Sequence, residues 1–322
     1  MIRMRVKSFY GDCNKPWQGM ACKVRTPILP LILTFIILSL SGSLAFIEPA
    51  FSYGQKSFLW KVQSSRSTVY LLGSIHFLKD DVYPLNQTIE NAYESSDKLV
   101  VEADISQLGN LDLKTLADRA FYKSGDHIEK HVSQETYRLI EKESGSLGMP
   151  VELVGMQKPW LLALSFQSMQ LMRLGYDPQH GVDYHFLARA QGKKTILELE
   201  SLDDQLKLLS GFSDKEQERF LLYTLKTLGS MDRQVGSMVR AWATGDAQAM
   251  ESILSEAALQ DVSLAPIVVK LFDERNMRMT SKIEGYLNSS GSYFVIVGAG
   301  HLVGKRGIVE LLKNKGYGVE QL

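Results

Sequence analysis

The chain has 322 residues, 45% of them hydrophobic, which supplies apolar surface for a sizeable core and excludes disorder as its general state. Lys plus Arg and Asp plus Glu each number 36, for a formal net charge of zero, so no electrostatic footprint argues for nucleic acid or another polyanion as partner. Both cysteines, Cys13 and Cys22, come early, leaving everything after residue 22 without a disulfide or a thiol nucleophile.

The first element is a basic stretch holding Arg3, Arg5, Lys7, Lys15, Lys23 and Arg25, followed by an almost wholly apolar run over residues 27–47. That is the layout of an export signal. Small residues in Ser43-Leu44-Ala45 and Ala50-Phe51-Ser52 suit cleavage near residue 45 or 52, while the run, at roughly 20 residues, also suffices for a membrane anchor. Met20 opens a segment that would be an ordinary signal peptide by itself. Residues 1–52 are therefore expected to be a basic segment with a signal peptide or anchor. Residues 53–322, free of linkers and low-complexity tracts, are expected to be one domain in the periplasm or another extracytoplasmic space, with possible membrane association through residues 27–47.

Within that domain, residues 57–63 and 68–73 are rich in β-branched and aromatic residues on either side of the polar turn Ser64-Ser65-Arg66-Ser67, which predicts a hairpin. After His76, the spacing of Ile89, Ala92 and Tyr93 predicts a helix over residues 86–96, and residues 98–102 read as a strand, so a parallel crossover is expected. Residues 111–280 are mostly helical by period, interrupted by one short strand at 195–199. Residues 160–174 carry Leu, Phe and Met at helical spacing and read as core. An apolar strand at 293–297, a Gly298-Ala299-Gly300-His301 turn, a helix at 307–315 and an edge segment at 317–320 close the chain. The expected fold is α/β (α+β): a mixed central sheet covered by helices, with a large helical middle segment.

The order strand, Gly-x-x-His, helix thus occurs twice, at Gly73–His76 and Gly298–His301. Ligands of such sheets bind at carboxyl strand ends, where a glycine admits a sharp turn or a close approach. Two histidines at two such ends converge if their strands are neighbours, and the commonest reason for paired imidazoles is a shared metal ion. Glu102 ends the run Leu99-Val100-Val101 at the same rim and would complete the set. His127 and His131, spaced i, i+4, would share a helix face but lack the acidic residue of His-Glu-x-x-His and read as surface residues. His180 and His185 flank Gly181-Val182-Asp183, where a helix is expected to begin.

The sequence resembles the TraB/PrgY/GumN family, related to the Tiki metalloproteases and more distantly to erythromycin esterase and ChaN-like proteins. The resemblance runs from about Phe58 to the C-terminus. It rests on Leu71-Leu72-Gly73-Ser74-Ile75-His76, Val100-Val101-Glu102, Lys158-Pro159-Trp160, Gly181-Val182-Asp183, Leu197-Glu198 followed by Gln205, Asp273-Glu274-Arg275-Asn276, and Val297-Gly298-Ala299-Gly300-His301. It implies that His76, His301 and Glu102 are metal or catalytic groups and that Arg275 stabilises charge. The Tiki relatives further imply a divalent metal, Mn or Co, with Zn also suited to imidazole. For hydrolysis, Glu102 or Glu198 would be the general base, Arg275 the oxyanion partner, and Asn276 a group that orients water or caps a helix. The expected function is a metal-dependent, peptidase-like hydrolase of the bacterial envelope acting on a peptide or protein. The alternative is a haem-, iron- or signalling-peptide-binding protein without catalysis.

Overall fold

The computed structural model describes residues 56–322, giving the backbone alone for 257–260; the basic segment, the apolar run and both cysteines lie outside the described residues. One six-stranded sheet runs in the order β4-β3-β5-β2-β1-β6. The hairpin is β1 (Leu59–Gln63) and β2 (Ser67–Ser74) in antiparallel register, Leu59 opposite Leu72. Its turn is built by Ser64, whose hydroxyl accepts from the Arg66 and Ser67 amides and donates to the Leu287 carbonyl at 2.6 Å.

Strands β3 (Lys98–Val101) and β4 (Thr195–Glu198) pair in parallel. Between β3 and β2 lies β5 (Gly291–Gly298), parallel to both. The helix Gln87–Glu94, capped by the Asn86 side chain and burying Ile89, Ala92 and Tyr93, links β2 to β3 across the place that β5 fills. Residues Phe294 to Val297 are fully buried, as expected of a central parallel strand covered on both faces. On the far edge, β6 (Gly318–Gln321) lies antiparallel to β1. The middle of the chain is helical, and its helix Pro159–Arg173 is apolar almost all round, with Trp160 to Leu164 and Phe166 buried, the mark of a helix enclosed by others.

Two local expectations are revised. Gly298-x-x-His301 is not a turn: β5 passes directly into the short helix Ala299–Leu302, because the backbone of Gly298, at φ −49° and ψ 136°, already has the shape of a helix-capping residue. His127 and His131 do not share a helix face; they bracket a 3-10 turn, Ile128–Lys130, with His127 extended. Both are exposed, and His131 stacks on Tyr122 and meets Asp126 at 2.9 Å.

Candidate functional site

The parallel strands β2, β5, β3 and β4 all point their carboxyl ends to one rim, and the chain leaving each carries a polar residue there. After β3 and β4 the pairing continues for one more step, with the Leu199 amide on the Val101 carbonyl and the Glu200 amide on the Glu102 carbonyl, both 2.9 Å. Glu102 and Glu200 thereby stand side by side. After β2, residues 75–78 are stitched to residues 177–182: Val182 N donates to Ile75 O at 3.1 Å, and Leu78 and Asp177 bond each other's backbone. Gly181 makes that approach possible, since a Cβ there would lie 2.3 Å from the His76 carbonyl oxygen. Two residues on, in the first turn of the helix Val182–Ala190, Asp183 reaches back to the His76 ring.

The two histidines are tethered alike. His76 donates through Nδ1 to Asp183 Oδ2 at 2.6 Å, and His301 through Nδ1 to Asn276 Oδ1 at 2.7 Å. The Asn276 amide is held in that orientation because its nitrogen donates to the Arg306 carbonyl at 2.8 Å. In its neutral form each imidazole thus carries its proton on Nδ1 and keeps Nε2 as an acceptor. Around Gly298 the groups converge: a Cβ built there would lie 3.5 Å from His76 Nε2, from Glu102 Oε2 and from the His301 ring. His301 Nε2 is 3.8 Å from Glu102 Oε2.

Glu102 is fixed at both oxygens. Oε2 accepts from the Gly298 amide at 2.9 Å; Oε1 accepts from Gln205 Nε2 at 3.0 Å and from Arg275 Nη2. Arg275, buried on the helix Glu274–Leu287, also binds Glu200 through Nε at 2.8 Å, the Leu271 carbonyl through Nη1 at 3.1 Å, and His301 Nε2 through Nη1 at 3.3 Å. These contacts set the protonation states. Burial would raise the Glu102 carboxyl, but Arg275, the two histidines and the Gly298 amide overcome it and hold Glu102 far below the usual carboxylate range. Burial, with the Arg275 cation adding to it, lowers His301 to about 3 against the pull of Glu102. For His76 the order reverses: burial lowers its pKa, yet Asp183 and Glu102 together leave it raised.

Of the residues expected at the site, His76, Glu102, Arg275, Asn276 and His301 come together. Glu198 stands apart: it is exposed at the end of β4 and accepts from the Asp104 amide at 3.3 Å. Sequence reasoning missed Glu200, Asp183 and Gln205 as members of the cluster. Asp183 and Gln205 stand in segments shared with the family, whereas Glu200 had a weaker signal, being the second acidic residue after a strand. Nor does Arg275 pair with its sequence neighbours; Asp273 is engaged by Arg306 at 2.6 Å. His180 and His185 also lie outside the cluster, His185 beside Tyr83 and Arg189.

The chain belongs to the TraB/PrgY/gumN family, whose model matches residues 58–321. It is 28% identical over 247 residues to the uncharacterized protein YbaP of Escherichia coli (strain K12), covering 76% of this chain and 87% of YbaP. An uncharacterized protein of Treponema pallidum (strain Nichols) is 22% identical over 302 residues, 88% of each chain. No solved structure matches the chain.

Proposed function

We propose that this protein is a peptidase-like hydrolase of the bacterial envelope, working at the strand-end cluster with a divalent ion held by His76, His301 and Glu102. The supporting observation is the tethering of both imidazoles through Nδ1, to Asp183 and Asn276, which leaves two Nε2 atoms on the side of an ionised carboxylate. Oxygen partners behind ligating imidazoles are the usual means of fixing their tautomer and orientation. Charge supports the same reading: Glu102 and Glu200 share one buried guanidinium, with Arg278 joining Glu200 only at 3.6 Å, and Asp183 adds a third carboxylate behind His76. The donors fit an ion in kind, although among the described residues no three His, Cys, Asp or Glu side chains already form a cage. When bound, such an ion lowers the pKa of a water and polarises the carbonyl under attack. The chain's own part is to hold Glu102 charged, through Arg275, Gln205 and the Gly298 amide, and His301 neutral.

A second reading keeps hydrolysis and dispenses with the ion. Arg275 already brings a positive charge to Glu102 Oε1 and to His301 Nε2, and the Asp183–His76 pair has the geometry of a general base and its orienting carboxylate. Glu102, held so far down, is a poor proton acceptor, which moves the base role to His76. Manganese, cobalt and zinc analysis of the purified protein, with peptide-library turnover before and after chelation, separates the two. About one ion per chain, lost in His301→Ala together with turnover, supports the first; turnover that survives chelation supports the second. Retention of metal in Glu102→Gln with loss of turnover would make Glu102 a base after all. Absence of turnover in every arm removes both hydrolytic readings and leaves haem, iron or peptide binding.

A further inference from the structure

On the far side of His301 from Glu102 lies a cavity of about 380 Å³. Asn276 and Phe272, which touch His301 through a 2.7 Å hydrogen bond and a tilted ring contact, form its wall towards the cluster. Apolar side chains make most of the rest, among them Phe220, Leu264, Ile267 and Leu271. Its charged lining residues are Lys305 and Arg306, both exposed, and Glu251 and Asp273, both half-buried. Gln167, 2% exposed on the buried helix Pro159–Arg173, also lines it, and among the described residues its Oε1 has no hydrogen-bond partner. The Thr224 hydroxyl donates to the Phe220 carbonyl at 3.0 Å and accepts from Gln167 Nε2 at 3.2 Å, which leaves the amide oxygen over. Turning the amide towards the same hydroxyl would leave its nitrogen over instead.

A buried acceptor without a donor costs about 1–3 kcal/mol, and a water would need two to four polar partners. The Asn276 amide offers it none, being engaged by His301 and by the Arg306 carbonyl. An aliphatic occupant would satisfy the walls and leave Gln167 unpaired. An aromatic ring with one hydroxyl satisfies both, and Phe220 and Phe272 offer it ring faces and edges.

We propose that the cavity between Gln167 and the His301–Asn276 pair is a binding site for a phenol-bearing group, such as a tyrosine side chain, with its hydroxyl donating to Gln167 Oε1. The proposal goes beyond the hydrolytic reading and is tested without turnover. Titrating the full chain with N-acetyltyrosine amide and N-acetylphenylalanine amide by calorimetry compares two ligands that differ by one hydroxyl. The tyrosine compound is expected to bind at least about tenfold more tightly, since sites built to bond a hydroxyl reject the analogue lacking it. Gln167→Leu should erase that preference, and Val268→Trp, filling the cavity from a half-buried wall position, should block both ligands. Equal affinities, no saturable binding of either compound, a preference that survives Gln167→Leu, or binding that survives Val268→Trp would each overturn it. If Gln167→Leu does not fold, the wild-type preference and Val268→Trp decide.

Discussion

Replacing Arg275 by methionine removes the buried cation shared by two carboxylates, Glu102 and Glu200, while keeping most of the side chain's apolar volume. The residue is 4% exposed, and its guanidinium makes charge-assisted bonds to both. Breaking a buried ion pair by deleting one partner costs roughly 3–5 kcal/mol, and at ~2–4 °C per kcal/mol for a chain of this size the melting temperature should fall by roughly 6–20 °C. The loss should also depend on pH. In the wild type the folded-state pKa of Glu102 is depressed, so its stabilisation is present above the unfolded carboxylate value of 4.5 and is lost as pH falls. In the variant the same carboxyl is left to burial, which raises it, so acidification relieves the penalty. Thermal melts at pH 7 and pH 5 should therefore show the larger deficit at pH 7, and adding Glu102→Gln to the variant should recover part of it. A melting temperature within about 2 °C of the wild type at pH 7 would refute the reasoning, since a shift so small requires a guanidinium that water can replace.

Histidine ring resonances in chelated protein should show His301 staying neutral between pH 4.5 and 8, and His76 titrating above 6.5. Asp183→Asn should move the His76 midpoint down. The two histidines then act oppositely on stability: the His301 contribution is lost as pH falls below 6.5 towards 3, whereas that of His76 is lost as pH rises through its raised folded value. Gly181→Ala should separate Asp183 from His76, because the new methyl would sit 2.3 Å from the His76 carbonyl oxygen; the readout is the same fall in the His76 midpoint with Asp183 intact. Trp242→Phe removes the 2.7 Å bond from the indole to the Gly73 carbonyl and should cost about 1–3 kcal/mol in denaturant unfolding for the unpaired buried acceptor.

The sheet was legible because its strands are short runs of one character: Ser67–Ser74 and Gly291–Gly298 are too apolar and β-branched to be read otherwise, and a glycine ends each usable rim. The convergence of His76, Glu102 and His301 followed from placing all three at carboxyl strand ends. What escaped was second-order. Asp183 and Glu200 join the cluster only through pairing that continues past the strands, at Gly181 against His76 and at Glu200 against Glu102, and no local periodicity reports such contacts. The failure at Glu198 has a related origin: alternation gives residues 198 and 200 the same face, and it is Glu200, past the end of β4, that lies within reach of Arg275. His127 and His131 were misplaced because a four-residue spacing implies a shared face only if the segment between is α-helical.

The strand that occupies the middle of the sheet, β5, is synthesised after the hairpin and the β3–β4 pair that it joins. Until residues 291–298 emerge, the hairpin on one side and the β3–β4 pair on the other have no common neighbour, and each presents an open edge to whatever else is present. The growing chain carries two such unfinished halves until β5 joins them, in an event that also delivers His301. Contacts this distant in sequence form late, and a chain cut short before residue 291 should yield insoluble product rather than a weakened protein.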